Sequence, residues 1–382
     1  MDYIPIDYET LRLIWWALLG IILIGFAILG GRDLGIGAML PAVARTDDER
    51  RVLLNLVGPT WEGNQVWLVL GGGAIFAAWP PLYAVSFSGF YLAMIVILFA
   101  LILRPVGFKY RGKVTDPRWR STWDWVLFIG GFVPALIFGV AMGNALLGAP
   151  FNLDTTLRPS YLGNFFGLLT PFALLCGLVS LSMVVTMGAA VIAARTEGEI
   201  AARAKRYGEW AALASIVLFA LGGVWIAYGI EGYVVTSTVE TALPSNPLSK
   251  TVEREVGAWL ANYAAQPWTM IAPILGFAGM AGAFFGLRMK LKTLGVLSAG
   301  VGIFGIVATA GVSMFPFLLP SSHNPGVSLT VWDASSSHLT LFIMLVVTAF
   351  FLPIILAYTG WVYKVMSGPV TGKSLSKNPN AY

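Results

Sequence analysis

The chain has 382 residues, 57% of them hydrophobic and only 11% charged, with a mean hydropathy of +0.77. Soluble domains carry about 25% charged residues, and no soluble fold of this length hides so much apolar surface, which leaves an integral membrane protein. The net charge of +5 needs no nucleic acid to explain it, because membrane proteins gather Lys and Arg in the loops of one side.

Asp2, Asp7 and Glu9, with no early basic cluster, make a poor signal peptide, so the first helix is expected to be retained. A spanning helix needs about 20 mainly apolar residues. Nine segments fit: Leu13–Gly31, Gln65–Trp79, Ala84–Leu103, Trp125–Leu147, Phe165–Ala194, Ala211–Ile230, Trp268–Leu287, Leu294–Leu319 and Leu339–Tyr363. The second and third are separated only by Pro80-Pro81-Leu82-Tyr83, which reads as a tight turn. The expected fold is all-α, a single transmembrane domain over residues 1–382.

Orientation follows from the cations. The segments Arg32–Thr60, Arg104–Thr122, Arg195–Trp210 and Arg288–Thr293, with the chain after Tyr363, hold 20 of the 24 Lys and Arg residues. Arg12, Arg158, Lys250 and Arg254 fall in the alternate segments. Nine crossings put the first set in the cytoplasm, the N-terminus outside and the C-terminus inside. The longest outer loop is 231–267. Within it Val252, Val256, Trp259, Leu260 and Tyr263 recur at helical spacing, which suggests a short amphipathic helix on the outer surface or a packed loop. Residues 368–382 read as a flexible cytoplasmic tail.

Each apolar run, between its flanking charges, is free of Asp, Glu, Lys, Arg and His; from Glu62 the next charge is Arg104. Ionisable residues at mid-membrane mark ion pathways, so a complete path within this chain alone is not expected. Redox metals are disfavoured too. Haem iron takes an axial His, Met, Cys or Tyr, and the two histidines, His323 and His338, both fall near the outer surface. Met in apolar helices is mostly packing, and Cys176 lies alone in an apolar run. No metal site is expected.

Five constellations remain. Gly30-Gly31-Arg32-Asp33 closes the first helix; its glycines permit close helix approach, and Asp33 either collects protons or is simply solvated at the interface. Trp61-Glu62-Gly63-Asn64-Gln65 opens the second helix with Glu62 at the membrane edge and Gln65 one turn on. A carboxylate there can take protons from the cytoplasm, or it serves only the helix dipole. Arg104, in Arg104-Pro105-Val106-Gly107-Phe108, either pairs with Glu62 or Asp33 or snorkels to headgroups. Ser121 and Asp124 look like a helix cap, with Trp123 and Trp125 in the aromatic belt. Finally, Met314-Phe315-Pro316 and Thr330-Val331-Trp332-Asp333-Ala334 read as structural, with Asp333 or Ser335-Ser336-Ser337 capping the last helix.

These motifs resemble subunit II of cytochrome bd ubiquinol oxidases. The likeness continues through Phe76-Ala77-Ala78-Trp79-Pro80, Phe87-Ser88-Gly89-Phe90-Tyr91, Gly163-Asn164-Phe165-Phe166 and Tyr228-Gly229-Ile230-Glu231-Gly232-Tyr233-Val234-Val235, in order over nearly the whole chain. The resemblance implies two four-helix bundles plus one peripheral helix, and no cofactor bound by this chain alone. It implies a haem-bearing subunit I with two b-type haems and a haem d, and in some cases a small single-helix subunit. Quinol is then the substrate and dioxygen is reduced to water with cytoplasmic protons, in a bacterial inner membrane, without pumping. It places Glu62 near the proton inlet and matches Arg104 and Asp33 to the same region, with Trp61, Gly63, Asn64, Gln65, Trp332 and Asp333 as structural motif. Two departures stand out. The family usually reads Asp-Gly-Phe-Asp where this chain has Gly30-Gly31-Arg32-Asp33, which makes Glu62 the preferred acid, and Thr60 stands where some relatives have His. The competing reading is a multi-helix permease, which predicts matched broken helices in two halves.

Overall fold

The computed structural model of the protein describes residues 4–370; the expected tail lies outside them from residue 371 onward. The chain runs α1 (Tyr8–Val43), α2 (Asp47–Val57), α3 (Trp61–Ala78), α4 (Pro80–Gly89), α5 (Tyr91–Tyr110), α6 (Pro117–Leu147), β1 (Phe151–Leu153), β2 (Pro159–Tyr161), α7 (Pro171–Arg195) and α8 (Gly198–Tyr228). It continues through β3 (Glu231–Val235), β4 (Val252–Val256), α9 (Ala261–Ala265), α10 (Ile271–Arg288), α11 (Lys292–Met314), β5 (Phe317–Leu319), β6 (Leu329–Thr330) and α12 (His338–Val365).

Among the described residues, eight helices are long and apolar enough to cross a membrane: α1, α5, α6, α7, α8, α10, α11 and α12. The other expected segment corresponds to α3, whose 18 residues open on Glu62, Asn64 and Gln65 and so fall short on composition. The three strand pairs are short antiparallel hairpins at the loop end opposite the basic segments. That end is called here the hairpin end, and the other the basic end.

The helix α1 is the hub, packed on α3, α6, α7 and α11. Further pairs are α5 with α6, α6 with α7, α7 with α8, and α10 with both α8 and α11. Lipid gives apolar helices no reason to associate, so close packing relies on small residues. A Cβ on Gly35 would stand 1.9 Å from the Val184 carbonyl oxygen, and one on Gly188 would stand 2.6 Å from the Gly35 carbonyl carbon. The helices α1 and α7 therefore touch backbone to backbone. By contrast α12 buries only Leu341 and packs on α1 and α3.

Several boundaries differ from the sequence reading. The first helix does not stop at Gly31. Leu34, Ile36, Met39, Leu40 and Val43 continue its buried face to Val43, so Arg32 and Asp33 lie inside a helix and not in a solvated loop. Pro80-Pro81 opens α4 instead of making a turn, since a proline at the first helical position loses no hydrogen bond. The helix α6 starts at Pro117 behind the Asp116 cap, and α8 at Gly198, both well before the bilayer-length apolar core. In the outer loop Val252 and Val256 belong to a strand, paired from Glu231 with Val256 to Val235 with Val252. Valines four apart satisfy a two-residue repeat as well as a helical one, and β-branching with a Tyr233-Val234-Val235 partner decides for the strand. The chain turns helical at Ala258–Leu260, a 3-10 turn that holds Trp259 and Leu260, and continues as the short α-helix Ala261–Ala265 with Tyr263.

Candidate functional site

The first turn of α3 has two working faces. On one, Trp61 stacks on Phe108 at 5.6 Å between ring centroids, and Asn64 points inward with 2% of its surface exposed. On the other, Glu62 and Gln65 face the cations of α5. Glu62 stands at the surface, 3.8 Å from Lys109 Nζ, with 68% of its side chain exposed. Such a pair is worth roughly 0–1 kcal/mol. A Cβ on Gly63 would meet nothing within 4 Å, so packing does not require glycine there.

Asp33 comes to α3 from the C-terminal third of α1 and is 2% exposed. Its Oδ2 accepts from Asn64 Nδ2 at 2.7 Å. Asn64 Oδ1 in turn accepts from the Tyr363 hydroxyl at 2.7 Å, so the last turn of α12 is tied to the carboxylate through one amide. The other oxygen, Oδ1, lies 3.5 Å from Arg32 Nε, too long for a good hydrogen bond. Arg32 Nη2 donates to Thr60 Oγ1 at 2.7 Å and to the Leu56 carbonyl at 3.0 Å, and its guanidinium lies 4.9 Å from the Tyr363 ring centroid. Two of the three positions that depart from the resembled pattern, Arg32 and Thr60, are therefore in direct contact.

Arg104 is buried (3% exposed) and reaches Gln65 Oε1 at 3.4 Å. It does not pair with Glu62. A cavity of about 10 Å³ lies between Asp33 and Arg104, closed by Phe108 and Leu127; it is the size of one water molecule. Thus buried ionisable groups do stand inside helices here, against the sequence expectation. A carboxylate beside a water-sized gap and two guanidinium groups can take up a proton and pass it on.

The remaining motif residues have structural partners. Asp124 caps nothing. It is buried, accepts from Arg111 Nε at 2.5 Å and Nη2 at 3.1 Å, and pairs with Arg50 at 2.8 Å. Arg111 also binds Asp47 at 2.8 Å, which ties α2 to α6. At the hairpin end Asp333 Oδ1 accepts from Thr330 N at 2.9 Å, while Oδ2 lies 2.7 Å from Lys250 Nζ. Burial pushes the Lys250 ammonium below its usual range, and the Asp333 carboxylate opposes that shift. The cap of α12 is Ser337, which accepts from Thr340 N. Trp332 lies edge-on to Phe315 at 5.9 Å. His338 Nε2 bonds the Ile6 carbonyl at 2.7 Å, and His323 is exposed in a loop.

Sequence reasoning missed Tyr363 and the Arg111–Asp124 pair. The signal for Asp33 was present: the apolar face of α1 resumes at Leu34 and Ile36, which a helix ending at Gly31 would leave unexplained.

The family model described as cytochrome bd terminal oxidase subunit II matches residues 11–366. The chain belongs to that family. Cytochrome bd-I ubiquinol oxidase subunit 2 of Escherichia coli (strain K12) is 49% identical over 376 residues, which is 98% of this chain and 99% of the relative. The probable cytochrome oxidase subunit 2 of Haemophilus influenzae is 48% identical over 377 residues, 98% of this chain and 99% of the relative. The bd oxidase structure from Geobacillus thermodenitrificans has the same fold, with a TM-score of 0.69 at 14% identity, covering 93% of this chain and 98% of the other. As a bd oxidase subunit II the chain is a multi-pass membrane subunit of an oxidoreductase complex, and its partner is a subunit I. The permease reading is set aside.

Proposed function

We propose that this chain is the haem-free subunit of a quinol:dioxygen oxidoreductase and that it carries protons from the cytoplasmic face toward the haem-bearing subunit I. In this reading the complex oxidises quinol and reduces dioxygen to water, building membrane potential by proton uptake and not by pumping. Its basic end faces the bacterial cytoplasm, with the N-terminus outside and the C-terminus inside. We take α1, α3, α5 and α6 as one four-helix bundle and α7, α8, α10 and α11 as the other, with α12 peripheral; a small single-helix subunit is a further partner.

The b-type haems and haem d belong to subunit I. The histidines here do not suit them, since His338 is spent on a backbone carbonyl and His323 stands apart in a loop. What this chain supplies is a route. Glu62 collects protons at the surface, Gln65 and Arg104 line the way inward, and Asp33 holds a proton at its carboxylate. Trp61 and Asn64 fix the geometry. The observation that carries the proposal is the water-sized cavity lined by both Asp33 and Arg104.

The test uses the whole complex. Asp33→Asn keeps an acceptor for Asn64 and removes the titratable group. Oxygen consumption per haem is expected to fall by roughly 10²-fold, the scale of a lost proton-transfer group, while haem content stays normal. Glu62→Leu is expected to slow turnover less, because neighbouring surface groups still deliver protons. Wild-type turnover in both variants would remove this route.

A further inference from the structure

A second cavity, a groove of about 770 Å³ between α1, α7, α11 and α12, opens at the basic end. Its size is within the roughly 300–1,000 Å³ of small-molecule sites. The walls are apolar, with Ile28, Met187, Leu297 and Phe304 among them, and the rim carries Arg32 and Arg195 with no carboxylate. Arg195 donates from Nε to the Gly368 carbonyl at 3.0 Å and from Nη2 to the Met366 carbonyl. Among the described residues its charge therefore meets backbone dipoles only. Arg32 has Asp33 behind it at 3.5 Å, but Arg195 stands over an apolar slot with no carboxylate among the described residues, and a charge left so costs free energy. The occupant that answers both features has an anionic head and a hydrocarbon body.

We propose that this groove binds one anionic phospholipid, its phosphate against Arg195 and Arg32 and its acyl chains along α1 and α11. The chain's own C-terminal segment is a poor candidate. It departs from the rim, where Val370 N donates to the Arg195 carbonyl at 2.8 Å, but beyond that point it brings Lys373 and Lys377 and no acidic side chain. A neutral ligand would fill the slot and leave the Arg195 guanidinium without a counter-charge. The basic end also faces the leaflet whose anionic lipids attract Lys and Arg by about 1 kcal/mol each. The inference goes beyond the proton route, and its readout is a lipid count, independent of turnover.

The experiment is native mass spectrometry of the whole complex, stripped of lipid and re-equilibrated with either phosphatidylglycerol or phosphatidylcholine. Four variants are compared: Arg195→Gln, Arg195→Lys, Gly300→Leu and the surface control Lys113→Gln. Gly300 suits the filling test because a Cβ there meets Met187 Cε at 3.7 Å and Ile28 Cγ2 at 4.0 Å, ordinary contacts, so a longer side chain grows into the groove. The wild-type complex is expected to retain one phosphatidylglycerol and no phosphatidylcholine at this site. Arg195→Gln is expected to lower retention about fivefold, the equivalent of one cation's attraction, and Arg195→Lys to restore it. Gly300→Leu should lower retention with the charge unchanged, and it decides the matter if Arg195→Gln fails to assemble, as judged by haem absorbance. Lys113→Gln should do nothing. Equal retention in all variants, equal binding of both lipids, or a quinone recovered in place of the phospholipid would overturn the proposal.

Discussion

Arg12 and Asp33 lie on the same helix, near opposite ends, and both are buried, yet their surroundings are finished to different degrees. Arg12 donates from Nε to Ser335 Oγ at 2.8 Å and from Nη2 to the Leu243 carbonyl and Ser245 Oγ, both at 3.1 Å, with a further bond from Nη1 to Thr241. The Tyr8 ring lies 3.6 Å beneath it. Beside it Asp333 Oδ2 has no well-aligned hydrogen bond but stands 2.7 Å from the Lys250 ammonium as an ion pair. At the basic end the contacts around Asp33 include ion-pair and hydrogen-bond distances of 3.5 and 3.4 Å, and neither Arg32 Nε nor Asp33 Oδ1 has a hydrogen-bond partner. A saturated polar network fixes a structure; a thinly satisfied one retains atoms to spare for a transferred proton or a water. The network around Arg12 is closed, and the one around Asp33 is open.

That contrast can be broken by measurement. The largest expected effect is Lys250→Ala, which leaves Asp333 buried without its partner and should cost about 3–5 kcal/mol. Thermal unfolding of the complex reads this, while oxygen consumption per assembled haem should hardly change. Normal thermal stability with lost turnover would reverse the assignment of the two ends. Tyr363→Phe should do the opposite. It removes one hydrogen bond to Asn64, worth about 0.5–1.5 kcal/mol, and is expected to slow turnover severalfold with little loss of stability. Unchanged turnover would mean that Asn64 needs no anchor from α12.

Glu49 sharpens the comparison with the smallest effect, as an ionic group at the basic end that only holds. It completes a capping box with Thr46 on α2 and binds Arg203. Burial alone would raise its carboxyl, but hydrogen bonds from Arg45, Arg203 and Thr46 outweigh that and hold it below the usual range. A carboxyl lowered in the folded state stabilises above the unfolded pKa of about 4.5 and loses that stabilisation as pH falls through the folded value. Hydrogen-exchange protection factors in α2, corrected for the intrinsic rate at each pH, should therefore fall on acidification below pH ~4.5. Glu49→Gln should flatten that dependence at a cost of under about 1 kcal/mol, with turnover unaffected.

The spanning helices were legible because lipid imposes length and apolarity on each one separately. Their ends were not. Helices such as α6 and α8 run past the bilayer into the basic loops, where Asp116 and Pro117 set the start of α6 instead of hydropathy. Of the site, Trp61 to Gln65 and Arg104 were visible as motifs. The hydrogen bonds that organise them were not: Tyr363 reaches Asn64 across 299 positions of sequence, a pairing fixed only when α12 packs beside α3. Asp124 was misread for a similar reason. Three residues after a serine it fits a cap, and only the fold brings Arg50 and Arg111 to it.

Gly35 follows Asp33 by two positions, and its approach to Val184 leaves no slack between two main chains. The depth at which the carboxylate stands along the membrane normal is thus fixed by steric contact and not by the charges around it. In the proposed route, exchanging those charges would alter how tightly a proton is held and not where it is handed over. Affinity and address rest on separate residues, so the first is free to drift while the second stays put.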